Sequence, residues 1–218
     1  MYDAVTTTKG ANPAVPAGPA PAAASRRNSA WRAWLIALST LAMVHCAKHE
    51  YNNVDISGAS YARDFSLLDT SGKRRTMSDY HGKTVILFFG YTQCPDVCPA
   101  TLSELARVRR DLGSDGAKVQ VLFVTLDPAR DTSELIARYV PGFDPSFVGL
   151  TGSDAEIAAT AHEFRIFYQK VDGSSPSTYT LDHTAGSFVF DSTGHVRLFI
   201  RAQASADQIE ADLKRLMS

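Results

Sequence analysis

"KTVILFFGYTQCPDVCP", Lys83 to Pro99, decides the fold. From Lys83 to Tyr91 it is almost continuously apolar and rich in β-branched and aromatic residues. That is the pattern of a strand covered on both faces. Pro99 fits the first turn of a helix, and Leu102, Leu105, Val108 and Leu112 recur at helical spacing after it. Cys94 and Cys98 therefore lie in the loop that leaves a central strand and enters a helix. Open α/β sheets place their sites at the carboxyl ends of such strands. Three uses fit the pair: a structural disulfide, a redox-active dithiol, or half of a metal site. Spacing alone does not choose among them.

Outward from this stretch, elements alternate. "FSLLDTSGKRRTMSDY" reads as a short strand, a turn at Gly72 and a second extended piece, and "KVQVLFVTLDP" as another buried strand ending at Asp127-Pro128. Asp131 and Glu134 form a capping-box pattern opening a helix through Tyr139, and Ser153 with Glu156 forms a second one, separated from the first by the short strand "FVGLTG". "FYQKV" is extended. "GSFVFDSTGHVRLFI" reads as a hairpin around Asp-Ser-Thr-Gly, and Ser205 through Gln208 caps a last helix. The expected class is α/β: a thioredoxin-like fold, a central mixed sheet flanked by helices, with a C-terminal β-hairpin and helix and a strand-helix insertion before the hairpin.

The chain has 218 residues, three cysteines, a formal charge of −1 and 44% hydrophobic residues. That suits one domain plus a tail, excludes a clustered basic nucleic-acid footprint, and leaves too few cysteines for a disulfide scaffold. Residues 1–30 are Pro/Ala-rich without apolar period and read as a disordered arm. Residues 31–47 read as a signal peptide or membrane anchor: arginines lead into the apolar run Trp34 to Ala47, about 14 residues, short against ~30 Å of hydrocarbon. Cys46 ends "LAMVHC", which is similar to a bacterial lipoprotein processing site except that His45 stands where a small residue is expected. Residues 48–63 read as a linker, and 64–218 as the folded domain. Export places that domain on the periplasmic side of a bacterial inner membrane, an oxidising compartment, held by the segment, by a lipid, or released.

A thiol at a helix N-terminus meets unpaired N–H groups and the positive end of the dipole, which favour thiolate, the form that attacks disulfides and binds metals. Three residues separate Cys94 from Cys98, one more than in thioredoxin-type redox pairs. His183, in "TYTLDHTAGSFVF", is expected in a loop passing beside the cysteines, where it would complete a set of two sulfurs and one nitrogen. Such a set suits Cu(I), whereas structural zinc normally takes a fourth protein ligand. A lone loop histidine more often only hydrogen-bonds, so the residues leave this open.

"GYTQCPDVCPATLSEL", "TLDPARDT" and "LDHTAGSFVFDSTGHV" resemble, in order, the three signature segments of the Sco/SenC family of membrane-tethered, thioredoxin-like copper chaperones. The resemblance runs from about Phe65 to the C-terminus. It implies Cys94, Cys98 and His183 as copper ligands, with Cu(I) as the main form and Cu(II) as a second. It also implies delivery to the cytochrome c oxidase subunit that carries the copper A site, with other periplasmic copper chaperones or thioredoxins as further partners and the membrane met through the N-terminal segment. The alternative function is a thiol-disulfide oxidoreductase, with Cys94 and Cys98 as its catalytic pair, reducing the copper-ligating cysteines of that subunit. A peroxidase lacks its Thr-x-x-Cys pattern here. Asp127 is weighed equally as an acid near the cysteines and as part of a helix-opening turn, Asp96 as a charge between the cysteines or a turn residue, and Asp182 as orienting His183 or capping a loop. His81 and His195 are expected at the surface, His162 as structural or solvent-facing, and Phe88 and Phe89 in the core.

Overall fold

The computed structural model describes residues 50–175 and 178–218, together with Gly18. Apart from Gly18, the expected arm, export segment and Cys46 lie outside the described residues. Two units divide the chain, Met1–Lys48 and His49–Ser218, and the elements below belong to the second. In chain order they are β1 (Val54–Asp55), β2 (Leu67–Asp69), β3 (Arg74–Arg75), β4 (Thr84–Gly90), α1 (Val97–Asp111), β5 (Val119–Thr125), α2 (Ser133–Tyr139), β6 (Val148–Thr151), α3 (Asp154–Glu163), β7 (Tyr168–Ser175), β8 (Thr178–His183), β9 (Gly186–Phe190), β10 (Val196–Arg201) and α4 (Ala206–Met217).

Every residue of β4 and β5 is buried, which is why both read as unbroken apolar runs. They pair in parallel from Thr84 opposite Val119 to Gly90 opposite Thr125. β4 also takes β9 as an antiparallel neighbour, and β5 takes β6 in parallel. The sheet runs β1-β10-β9-β4-β5-β6-β2-β3, while β7 and β8 pair only with each other. Aromatic rings fill the core edge to face: Phe164 lies 5.3 Å from Phe89 and 5.2 Å from Phe188. Such pairs add about 1 kcal/mol each beyond the area they bury.

Local chemistry sets most helix starts. Ser153 and Glu156 make the expected capping box at α3, and Ser205 and Gln208 make one at α4. At α2 the expectation shifts by one residue. Thr132 is the N-cap, accepting the Leu135 N–H, and Asp131 is instead 1% exposed and committed elsewhere. At α1 the N-cap Asp96 makes no side-chain cap bond.

Residues 50–63, expected as linker, pack on the domain. β1 pairs with β10. The Asp212 carboxylate, 1% exposed on α4, accepts from the Asn52 and Asn53 backbone N–H groups at 2.8 Å each and from both side-chain amides at 2.9 Å. The stretch mixes polar residues with Tyr51, Ile56, Tyr61 and Ala62, which pack on the core, and that packing, the β1–β10 pairing and the Asp212 carboxylate hold it together. Asp212→Ala leaves those donors without an acceptor and should lower stability by about 3 kcal/mol in urea denaturation. Asp115→Ala, which removes only an exposed ion pair with Lys118, should cost under ~0.5 kcal/mol.

Candidate metal centre

Gly90 ends β4, and the chain turns at once into the cysteine loop. A Cβ at Gly90 would sit 2.9 Å from Cys98 Sγ and 3.1 Å from the rings of Phe88 and Phe123. The missing side chain is what lets that sulfur lie against the strand, a role the sequence signals only as a glycine at the end of an apolar run. Cys98 is fully buried in the first turn of α1, and Cys94 is half-buried ahead of it. Both are free thiols. Cys94 Sγ accepts the Cys98 backbone N–H at 3.4 Å, so sulfur satisfies one of the helix's orphan donors where Asp96 does not. Burial pushes the Cys98 thiol well above its ordinary range, opposed by a hydrogen bond from the Tyr91 backbone N–H. The dipole expected to favour thiolate at Cys98 is therefore outweighed by desolvation.

His183 is not in a loop; it is the last residue of β8, paired with Tyr168 of β7. The outward neighbours Thr178, Thr180 and Asp182 are exposed, while Tyr179, Leu181 and His183 turn inward. This strand carries His183 to the cysteines: Nε2 lies 4.0 Å from Cys98 Sγ. The other ring nitrogen, Nδ1, lies 3.0 Å from the Thr184 carbonyl, which can only accept, so Nδ1 carries the proton and Nε2 presents a lone pair toward the sulfur. Asp182, exposed on the opposite face, does not orient the ring. Burial holds the His183 pKa below its ordinary value, keeping the imidazole neutral. The edge of Tyr91 packs against it, centroids 6.2 Å apart.

The acids divide differently from the expectation. Asp131, not Asp127, braces the cysteine loop: it accepts from the Thr92 backbone N–H at 3.0 Å, from Thr92 Oγ1 at 2.5 Å and from Thr125 Oγ1 at 2.6 Å. Burial raises its pKa, against those same hydrogen bonds. Asp127, 2% exposed, accepts the Tyr179 hydroxyl at 2.7 Å and an ion-paired hydrogen bond from Arg130 Nε, while its backbone carbonyl closes the turn into α2. Both of its expected settings are thus half met: it is a turn residue, and its side chain serves the strand bearing His183. His81, His162 and His195 are exposed. Among the described residues no three His, Cys, Asp or Glu side chains stand close enough to hold a metal ion as they are. Cys98 and His183 are adjacent, and Cys94 Sγ faces the Cys98 N–H.

A family model described as SCO1/SenC matches residues 54–218. The chain is 36% identical over 157 residues to the human protein SCO2 homolog, mitochondrial, covering 71% of this chain and 59% of that one. It is 31% identical over 164 residues to the SCO2-like protein of Rickettsia felis, covering 75% and 78%. The chain thus spans about 59% of the length of the mammalian relatives it matches first. Among solved structures, copper-bound ScoI of Bradyrhizobium japonicum shares 39% identity, 71% of this chain and 98% of its own, at a TM-score of 0.65. Apo Sco1 from Thermus thermophilus shares 38% identity, 78% and 99%, at 0.70. The expected thioredoxin-like α/β fold is the fold these neighbours share. Among the described residues no helix is long and apolar enough to cross a membrane.

Two outcomes follow from the geometry. Iodoacetamide should label Cys94 at least ~10-fold faster than Cys98, read by peptide mass spectrometry, because reactivity follows exposure and thiolate content. His183 should titrate below ~6.5 as the Nδ1–H tautomer, read from its imidazole nitrogen shifts. Since the unfolded chain binds that proton more readily, its contribution to stability is full above ~6.5 and is lost as pH falls toward the folded value.

Proposed function

The chain belongs to the SCO1/SenC family, and from that premise we propose that it is a copper-binding metallochaperone, supplying copper to the copper A site of a cytochrome c oxidase subunit. Cys94, Cys98 and His183 hold the ion, which is cargo. One observation carries this reading: the lone-pair nitrogen of a neutral, buried imidazole faces a buried cysteine sulfur at 4.0 Å. A dithiol reductase has no use for that nitrogen.

The donor set fits the cargo. Two soft sulfurs and one imidazole suit Cu(I), which accepts three-coordination, and the half-buried Cys94 leaves an open side from which a partner's ligand can displace a donor. Cys98 holds its proton tightly, so binding must release it to solvent. The partner is the oxidase subunit, with other periplasmic copper chaperones or thioredoxins upstream. The domain works on the periplasmic side of the membrane, tethered through residues 31–47, tethered by a lipid on Cys46, or released after cleavage of the signal.

A second reading is favoured by the asymmetry of the thiols. Half-buried Cys94 is placed to attack a partner's disulfide and fully buried Cys98 to resolve the mixed disulfide, leaving a Cys94–Cys98 bond here and two thiols there. The two readings are separated at His183. In anaerobic Cu(I) titration of the reduced protein against a competing chelator, one tight equivalent is expected. His183→Ala should weaken it by about 100-fold or more while disulfide reduction persists. A copper affinity indifferent to that substitution would leave the reductase reading alone.

Affinity should also fall as pH drops. Cys98 would bind as thiolate but holds its proton when free, so protons compete with copper. Competition titrations across pH 6 to 8 read the slope, with weaker binding at the acid end as the expected result.

A further inference from the structure

The hairpin β7–β8 carries His183 yet belongs to neither flank of the main sheet. An isolated two-stranded hairpin is marginally stable at best in water. Where His183 stands therefore depends on what ties β8 to the rest of the domain. One tie is Leu181, 6% exposed, whose backbone N–H also bonds the Tyr91 hydroxyl. The short link from His183 to Gly186 of β9 fixes one end of the strand; toward the other end the tie is at Tyr179, the next inward residue, and among the described residues it is made mostly by the loop after β5.

Arg130 NH1 donates to the Tyr179 carbonyl at 2.8 Å, and its guanidinium carbon lies 3.5 Å from the centre of the Tyr179 ring. The Tyr179 hydroxyl donates to Asp127 Oδ1 at 2.7 Å, and Arg130 Nε pairs with the same carboxylate. Arg130 also lies 5.8 Å from the Tyr91 ring, whose edge packs on His183. Asp131, the next residue, holds the cysteine loop through Thr92. Residues 127–131 thus grip both halves of the site, the thiol loop with one acid and the histidine hairpin with an arginine and another acid.

We propose that Arg130 and Tyr179 form a latch that positions His183 against the cysteines, so that copper affinity is set by two residues that never touch the metal. This rests on the copper reading above. Tyr179 and His183 lie on one face of β8, about 13 Å apart at ~3.3 Å per residue, so freeing the strand at Tyr179 lets Nε2 swing away from Sγ. Arginine is needed because a lysine cannot donate to the carbonyl, pair with Asp127 and lie flat on the ring together. Both are positioning residues.

The test uses the full reduced protein, with Arg130→Lys as the first variant and Tyr179→Phe as the milder one, since it removes a single hydroxyl. Expected for Arg130→Lys is a loss of Cu(I) affinity of ~10- to 100-fold, the usual range for groups that orient a ligand. Amide exchange in β8 of the copper-free protein should speed up at least ~10-fold while β4 and β5 keep their protection. Placed on His183→Ala, the same substitution should change copper affinity no further, because its effect passes through His183. Unchanged affinity, or an equal loss without His183, or exchange that rises equally across the core, would each overturn the latch. If Arg130→Lys does not fold, Tyr179→Phe decides, with about a tenfold loss expected for one hydrogen bond to a carboxylate. If His183→Ala leaves the wild-type copper affinity intact, it is the copper reading that fails. The exchange in β8 then judges the latch by itself: faster exchange upholds its grip on the hairpin, and unchanged exchange removes it.

Discussion

Parallel pairing of β4 with β5 is the constraint on which the rest depends. The two strands end level, Gly90 beside Thr125, with the Leu126 N–H bonded to the Gly90 carbonyl at 2.7 Å. Their exit loops are therefore neighbours by construction. One carries the cysteines and the other Asp127, Arg130 and Asp131. Fourteen fully buried strand residues hold that alignment, and a slip in register would carry the sulfurs away from their braces. Everything chemical in the molecule is built on where these two strands stop.

Within that frame the site balances opposed demands. Burial makes Cys98 and His183 poor at carrying charge, which keeps the thiol protonated and the imidazole neutral when no metal is present. A neutral imidazole is ready to ligate; a buried thiol is not, until a cation replaces its proton. On the proposed reading, copper would replace that proton, one positive charge for another, and the low-polarity pocket would not have to hold a bare thiolate. Half-buried Cys94 stands at the boundary where that exchange meets solvent.

What was legible in the sequence follows from how each feature is encoded. β4, β5, α1 and the capping boxes of α3 and α4 are written in local period and cap chemistry, and they stand where that chemistry puts them. β8 reads as loop although Tyr179, Leu181 and His183 alternate with polar neighbours, because the strand is short, pairs outside the main sheet and has a polar face that hides the period. Asp131 reads as a cap because it precedes a helix; that it is buried beneath Thr92 depends on a loop 39 residues away, which no local pattern records. The same holds for Arg130 on Tyr179 and for Asp212 on Asn52 and Asn53. The cysteines and His183 stand out by residue type and resemblance. The network that places them is written only in three dimensions.

Gly90 adds a constraint of a different kind. Its absent side chain and the Cys98 sulfur occupy one volume between them, 2.9 Å being too little for a methyl group and a sulfur to share. The two positions are therefore bound in their histories. While sulfur stands at 98, the strand can accept no larger residue at 90, and once a larger residue is fixed there the sulfur cannot return to its place. A lineage that lost the thiol could fill the glycine only by also moving the rings of Phe88 and Phe123, and having filled it would find the way back closed.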